Sequence, residues 1–393
     1  MSFEGAQAQS SSYVAPSEAP PARSVVRRIS EAWTRRDTWL LLGACVCALL
    51  LYFWRLDQPT RYIYDEVYHA YTAGKLAEGN PDPYNPFAKV PQKDKEELKV
   101  AYVWDHPALA KLPMQVGIVL FGNNPFGWRF ANAVFGTIGI GIMFVLARTM
   151  FGRSVAIIAT LLLLLDGLWF VESRLALNDI YLVCFLLLSY LALYLYLTAP
   201  LERRWRWLWL TGFALGLAIA TKWSAMYSIG GIGLVAGVRE AWLGFSRIRA
   251  RPGPAGLALI GSLAVLLGAF VVLPAALYVG GYVQYFAMGF DWSDFRELQW
   301  QMWNYHTTLK ACHYAASPWW SWPLMLRPVW YHLYIMGNPL SFWLYLPAAL
   351  GVSALWVRGR FRNIALGVVL LGFFGQWLPW GLSPRVAYLY HFL

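Results

Sequence analysis

Apolar positions in this chain do not alternate with polar ones at the spacing of a half-buried strand or a surface helix. They fall in long runs separated by short polar breaks. A helix needs about 20 mostly apolar residues to cross the hydrocarbon of a bilayer. On that measure the pattern predicts about nine spans, at 38–55, 126–148, 154–173, 179–198, 205–221, 224–238, 256–278, 338–357 and 364–380. Two long intervals, 56–125 and 279–337, lie between spans. Within the first, the stretches 62–78 and 107–121 are too short or too polar to cross, and they read as helices at the membrane surface.

Composition strengthens this picture. The chain is 58% hydrophobic and only 13% charged, against about 25% charged in soluble domains. Its mean hydropathy is +0.43. Trp, Tyr and Phe make up 17%, many beside apolar runs where an interfacial aromatic belt would sit. Residues 1–37 are rich in Ser, Ala and Pro, end in a basic stretch and carry no cleavable signal. They read as a disordered basic cytoplasmic tail before a signal-anchor helix.

The net charge of +11 changes the reading only through its distribution. Arginines cluster in short breaks: Arg27, Arg28, Arg35 and Arg36; Arg148 and Arg153; Arg203, Arg204 and Arg206; Arg239, Arg247, Arg249 and Arg251; Arg358, Arg360 and Arg362. That is the positive-inside pattern of a multi-pass protein among membrane lipids, and it argues against a nucleic-acid partner. It predicts a cytoplasmic amino terminus, with 56–125 and 279–337 outside the cell membrane. Neither loop has room for a soluble acceptor domain of about 100 residues. The four cysteines give neither a disulfide framework nor a CxxC zinc spacing.

Candidate chemistry collects on the external side. All six histidines (His69, His106, His306, His313, His332 and His391) fall there. In 62–71, a helix would place Tyr64, Val67, Tyr68 and Tyr71 on one stripe, with Asp65 and His69 one turn apart and Glu66 beside them. An ordinary amphipathic surface helix with solvated acids explains the same pattern. Asp105, His106 and Lys111 follow in a WDHPALAK stretch, where Asp105 has the character of a helix N-cap and His-Pro opens a helix. Arg129, Arg174, Asp179 and Lys222 lie at external ends of spans. Structural salt bridging, Arg174 with Asp179 for example, accounts for them, as does recognition of an anionic lipid phosphate. His306, Cys312 and His313 make a weak metal set, and no metal is expected. The Trp-rich block with Trp319 and Trp320 reads as interfacial anchoring or as a stacking platform for a sugar.

Taken in order, these motifs resemble the protein O-mannosyltransferases of the bacterial type. They are DE after the first span, HPxLxK before the second, the SRxxxxD turn, TKWS, SPWWSWPLxxRPVWY and a terminal RVxxLYHF. The resemblance covers about residues 55–393 and lacks the β-trefoil insert of eukaryotic members. It implies an all-α polytopic GT-C glycosyltransferase fold over 38–393, with no cofactor. Mannose would pass from polyprenyl-phosphate mannose to Ser or Thr of exported polypeptides emerging near the secretion translocon. By motif, Asp65 takes the role of catalytic base. Glu66, His106, Lys111, Trp319 and Trp320 would form the acceptor and sugar site. Arg129, Arg174, Lys222 and Arg385 would hold the carrier phosphate, supported by Asp105, Asp179, His306, His313, Tyr390 and His391. Members of that family continue through about two further spans, so the resemblance also implies that a chain ending at Leu393 is truncated.

Two rival functions fit parts of the pattern. A GT-C transferase acting on a lipid or glycan shares the topology, but the SPWWSWPL and RVxxLYHF stretches argue against it. A transporter or flippase would be expected to carry internal repeats with polar breaks at the bilayer midplane. Here the polar residues crowd one face.

Overall fold

The structure is a computed structural model that describes residues 33–250, 252–309, 316–331, 334–383 and 386–392. Long apolar helices dominate it. Helix α1 (Arg35–Phe53) leads to the short helices α2 (His69–Ala77) and α3 (Lys111–Phe121). The bundle continues with α4 (Pro125–Phe151), α5 (Arg153–Leu164), α6 (Asp179–Thr198), α7 (Arg204–Thr221) and α8 (Met226–Ala250). Helix α9 (Pro252–Leu267) runs through a π-helical turn, Gly268–Val272, into α10 (Leu273–Gly280). A more polar helix α11 (Trp292–Thr308) precedes α12 (Pro339–Arg358) and α13 (Ile364–Trp377).

Six described helical segments are long and apolar enough to cross a membrane: Arg35–Phe53, Pro125–Phe151, Asp179–Thr198, Gly256–Gly280, Pro339–Arg358 and Ile364–Leu382. The protein is a multi-pass membrane protein, but the expected count of nine is not reproduced. The segment 154–173 breaks, because Asp166 accepts from the Trp169 amide at 2.9 Å and starts a short helix, Gly167–Glu172. The other Asp166 oxygen accepts from the Asn338 amide at 2.6 Å, tying this break to the start of α12. Helix α7 opens on Arg204 and Arg206, and α8 is glycine-rich and carries Arg239 and Glu240.

Buried acids tie the helices together at the end of the bundle away from α2 and α3. Asp37, in the first turn of α1 and fully buried, accepts from Arg148 Nε at 2.9 Å and Arg153 Nε at 2.7 Å. The tail boundary expected at 37 is therefore too late. Helix α1 begins at Arg35, fixed by the capping box between Thr34 and Asp37. Glu240 likewise accepts from Arg204 at 2.8 Å, Arg239 at 3.2 Å and the Tyr196 hydroxyl at 2.7 Å. Several arginines of the charge pattern thus have a packing role beside their topological one.

Helices α6, α7 and α8 share an apolar core around Leu193, Tyr196, Leu208, Leu215 and Ile232. Backbones approach closely where small residues allow it, as is common between membrane helices. A Cβ on Gly212 of α7 would stand 2.0 Å from the Ala269 carbonyl oxygen in the π-helical turn. Gly212→Leu is therefore expected to force the two segments apart and to cost about 1–3 kcal/mol or more through overpacking. The check is the thermal midpoint in detergent, which should fall clearly. An unchanged midpoint would contradict this close approach.

Candidate active site

The segment joining α1 to α2 carries two adjacent acids that face different environments. Tyr64 has φ +53°, a left-handed conformation that costs a non-glycine residue about 1–2 kcal/mol. Its ring is held by Tyr331 at 4.6 Å and Tyr390 at 6.2 Å between centroids. A 3₁₀ turn, Tyr64–Val67, follows, and α2 starts only at His69. The continuous helix expected over 62–78 is thus split. Tyr64, Val67, Tyr68 and Tyr71 do not form one buried stripe, because the left-handed residue and the tighter turn re-aim the chain.

Glu66 accounts for this local path. Its carboxylate accepts from Arg129 Nε and Nη2 at 2.7 Å each, and from the amides of Ile63 at 2.9 Å and Ala176 at 3.0 Å. Arg129 also donates to the carbonyls of Leu56, Pro59 and Arg61 at 3.2, 2.9 and 3.2 Å. Both residues are fully buried. This corrects two expectations. Glu66 does not line an acceptor site, and Arg129 does not offer its charge to a phosphate, because every guanidinium nitrogen is engaged by the loop it pins.

Asp65 points the other way, into a narrow polar cavity lined also by Tyr64, His69, His106, Glu172, Asn178, Asp179, Lys222 and Tyr390. Among the described residues nothing hydrogen-bonds its carboxylate. Burial pushes its pKa up from 3.8 to about 7, Lys222 pulls against the shift, and Asp179 and Asp105 add to it. Lys222, at the end of α7, donates to Asp179 Oδ1 at 2.7 Å and stands 5.3 Å from the Tyr390 ring centroid. One of the three ammonium hydrogens is committed to that pair.

Three imidazoles line up behind this pair. His69 and His106 stack at 5.8 Å, and His106 meets His306 at 5.5 Å. Burial, reinforced by neighbouring positive groups, holds His69 and His106 well below the usual histidine pKa, so both are neutral at pH 7. His306 Nε2 shares a 2.6 Å hydrogen bond with the Asp105 carbonyl oxygen. Asp105 is not the expected side-chain cap, since Pro107 holds the N-cap position of the following 3₁₀ turn. Lys111 is 2% exposed and donates to the carbonyls of His106 and Pro107 at 3.3 Å each. It clamps the backbone under His106 and does not reach the cavity, as had been expected of it.

Other expected residues lie elsewhere. Arg174 donates to the carbonyls of Leu51 at 2.9 Å and Arg55 at 3.2 Å, capping the end of α1. It pairs neither with Asp179 nor with the cavity. Trp319 packs on Trp377, and Trp320 is 55% exposed, so neither forms a platform beside Asp65. The block contributes its buried residue, Trp322, to the core instead. His391 stacks on Trp380 and Tyr390 and borders a separate apolar cavity of about 420 Å³ between α4, α5, α6, α12 and α13. Arg385 and His313 lie outside the described residues. The motif resemblance gave no site role to Tyr64, His69, Glu172, Asn178 or Tyr331. His69 was visible four residues after Asp65, whereas Asn178 looked like any polar residue opening a helix. Among the described residues, no group of three or more His, Cys, Asp or Glu side chains stands in a metal-binding arrangement.

Replacing Glu66 by Gln leaves Arg129 buried without its counter-charge. Breaking such a pair costs about 3–5 kcal/mol. Glu66→Gln should lower the thermal midpoint strongly, and Glu66→Asp less. A variant as stable as the parent would remove Glu66 from its structural role.

The match to known proteins follows the same organisation. Residues 44–291 match the family profile described as dolichyl-phosphate-mannose-protein mannosyltransferase, and residues 291–393 match the C-terminal four-transmembrane region of protein-O-mannosyltransferase. A polyprenol-phosphate-mannose–protein mannosyltransferase of Corynebacterium glutamicum is 28% identical over 88% of this chain and 78% of its own length. The Mycobacterium tuberculosis protein of the same name is 28% identical over 70% of the chain. The chain spans only 64% of that relative's length. In fold, it resembles ArnT from Cupriavidus metallidurans bound to undecaprenyl phosphate, with TM-score 0.58, 20% identity and coverage of 92% of this chain and 58% of that one. It also resembles the S. cerevisiae protein O-mannosyltransferase Pmt1-Pmt2 complex bound to the sugar donor, with TM-score 0.53, 19% identity and coverage of 67% and 36%. These neighbours give the chain a GT-C fold, and the profile match over more than half its length shows that it belongs to the dolichyl-phosphate-mannose-protein mannosyltransferase family.

Proposed function

We propose that this protein transfers mannose from polyprenyl-phosphate mannose to Ser or Thr hydroxyls of exported polypeptides, with Asp65 as general base. The observation that carries the reading is the unpartnered, desolvated Asp65 carboxylate sharing one cavity with the Lys222 ammonium. A hydroxyl is a weak nucleophile at neutral pH and needs a base within hydrogen-bond reach in the transition state. A pKa of about 7 suits that task, because the group is half ionised near neutrality and binds a proton well.

In the proposed step, the acceptor oxygen attacks the anomeric carbon while Asp65 takes its proton. The bond from that carbon to the phosphate oxygen breaks, and its electron pair leaves with the polyprenyl phosphate. Negative charge grows on the leaving phosphate, and Lys222 is the cation of the cavity that meets it. The Asp179 contact orients the Lys222 amine and leaves two of its hydrogens available. A single displacement inverts the anomeric centre, giving an α-mannoside from a β-linked donor. The apolar cavity beside His391 and Phe392 has the chemistry to house isoprene units of the carrier.

The proposed setting is the cell membrane, with the amino terminus cytoplasmic and the cavity on the external face. Supporting this are the arginines at the opposite end of the bundle.

Asp65→Asn should fold and lose transfer of radiolabelled mannose to a Ser/Thr-rich peptide by about 10²-fold or more. Full activity in that variant would remove Asp65 as base. In the parent, transfer should rise with pH through about 7 and level off above it, because only the ionised carboxylate accepts a proton. Stability should run the opposite way. The folded pKa lies above the unfolded value of 3.8, so the native state binds more protons between 3.8 and about 7, and stability falls with rising pH across that window. Asp65→Asn should then exceed the parent in thermal midpoint at pH 8, with the gap closing towards pH 4.

A further inference from the structure

Three residues around the Asp65 cavity have no role in the step above, yet they are built in a way that packing alone does not explain. Asn178 is 2% exposed, Glu172 1% and His69 7%. Among the described residues, both polar atoms of the Asn178 amide, Oε2 of Glu172 and Nδ1 of His69 are buried without a hydrogen-bond partner. All three side chains line the same cavity as Asp65 and Lys222. An unpaired buried polar atom costs about 1–3 kcal/mol, and in native structures nearly all such atoms are paired. Four in one cavity point to a hydrogen-bonding partner, ligand or water, that meets them there.

Asn178 is the most telling of them. It occupies the N-cap position of α6, where an Asn side chain ordinarily accepts from a first-turn amide. Its backbone is helical, at φ −83° and ψ −25°, and the side chain makes no cap. The common structural use of an Asn at this position is thus forgone. Glu172 is held by the Tyr331 hydroxyl on one oxygen, leaving the other free to accept. His69 is kept in place by its stack on His106, and as a neutral imidazole it can donate or accept.

The chemistry of these atoms selects the ligand. Two carbonyl-type acceptors, an amide donor and an imidazole suit groups that both donate and accept. Hydroxyls do so, whereas a phosphate offers mainly acceptors and would leave the Asn178 carbonyl oxygen unpaired. We propose that Asn178, His69 and Glu172 form the subsite that reads the hydroxyls of the transferred sugar, with Asn178 as its specificity-determining residue. This rests on the sugar-transfer reading of the same cavity and adds to it where the ring lies. Sites built to hydrogen-bond hydroxyls discriminate strongly, because an ill-fitting ligand leaves buried groups unpaired.

The test is binding of polyprenyl-phosphate mannose and of bare polyprenyl phosphate to the full chain in nanodiscs. The parent, Asn178→Leu and His69→Phe, the last retaining a ring to stack on His106, are compared. Expected is a loss of about tenfold or more in affinity for the sugar-bearing carrier in each variant, with affinity for the bare carrier unchanged. Thermal midpoints screen for folding, and Asn178→Ala replaces the leucine if the latter fails to fold. Equal losses for both ligands, or no loss for either, overturn the subsite while leaving mannose transfer by the parent intact. A parent that neither binds the mannosyl carrier nor transfers mannose overturns the function itself, and the subsite with it.

Discussion

The buried pair between Glu66 and Arg129 is the constraint on which the rest of the site depends. Two charges taken out of water are costly unless each is matched, and here the matching is complete. Glu66 accepts two guanidinium bonds and two backbone amides, while Arg129 also gathers three carbonyls of the loop after α1. One side chain on α4 thereby fixes a loop that would otherwise have few reasons to hold one shape. Because Glu66 is locked on one side, its neighbour Asp65 is delivered to the other. The left-handed Tyr64 is the backbone cost of that division.

Within the cavity the charges are arranged to be used. Lys222 and Asp179 form a contact of 2.7 Å that is nearly neutral as a unit. Asp65 is therefore left with little net cationic support, and desolvation dominates its proton affinity. Asp179 and Asp105 add to the upward shift. Arrival of a hydroxylic acceptor and a phosphate-bearing donor would supply hydrogen bonds to the first and a counter-charge to the lysine.

Much of this was legible in the chain because hydrophobic length is a strong signal. Six of the expected spans return as helices long and apolar enough to cross a membrane, and three of the histidines come together in the His69, His106 and His306 row. Legibility failed where a single residue changes direction. Asp166 splits an apolar run that hydropathy alone reads as continuous, since one carboxylate caps both a short helix and the Asn338 amide. Charge at a span end was also ambiguous. Arg129, Arg174 and Lys222 look alike as cations near an interface, yet only Lys222 reaches the cavity. The difference lies in tertiary partners: a carboxylate for Arg129, helix-end carbonyls for Arg174. The tryptophan block stayed open between anchoring and a sugar platform for a related reason, because aromatic density marks a packed core as readily as a ligand platform.

The claim beneath all of this is that the carrier phosphate is received by Lys222 within reach of Asp65. An experimental structure of the protein in nanodiscs with polyprenyl-phosphate mannose bound to the Asp65→Asn variant tests it directly. The account predicts density for the phosphate in hydrogen-bond contact with the Lys222 amine and the anomeric carbon facing position 65. Density for the phosphate at Arg174, or anywhere that leaves position 65 facing only protein, would contradict it.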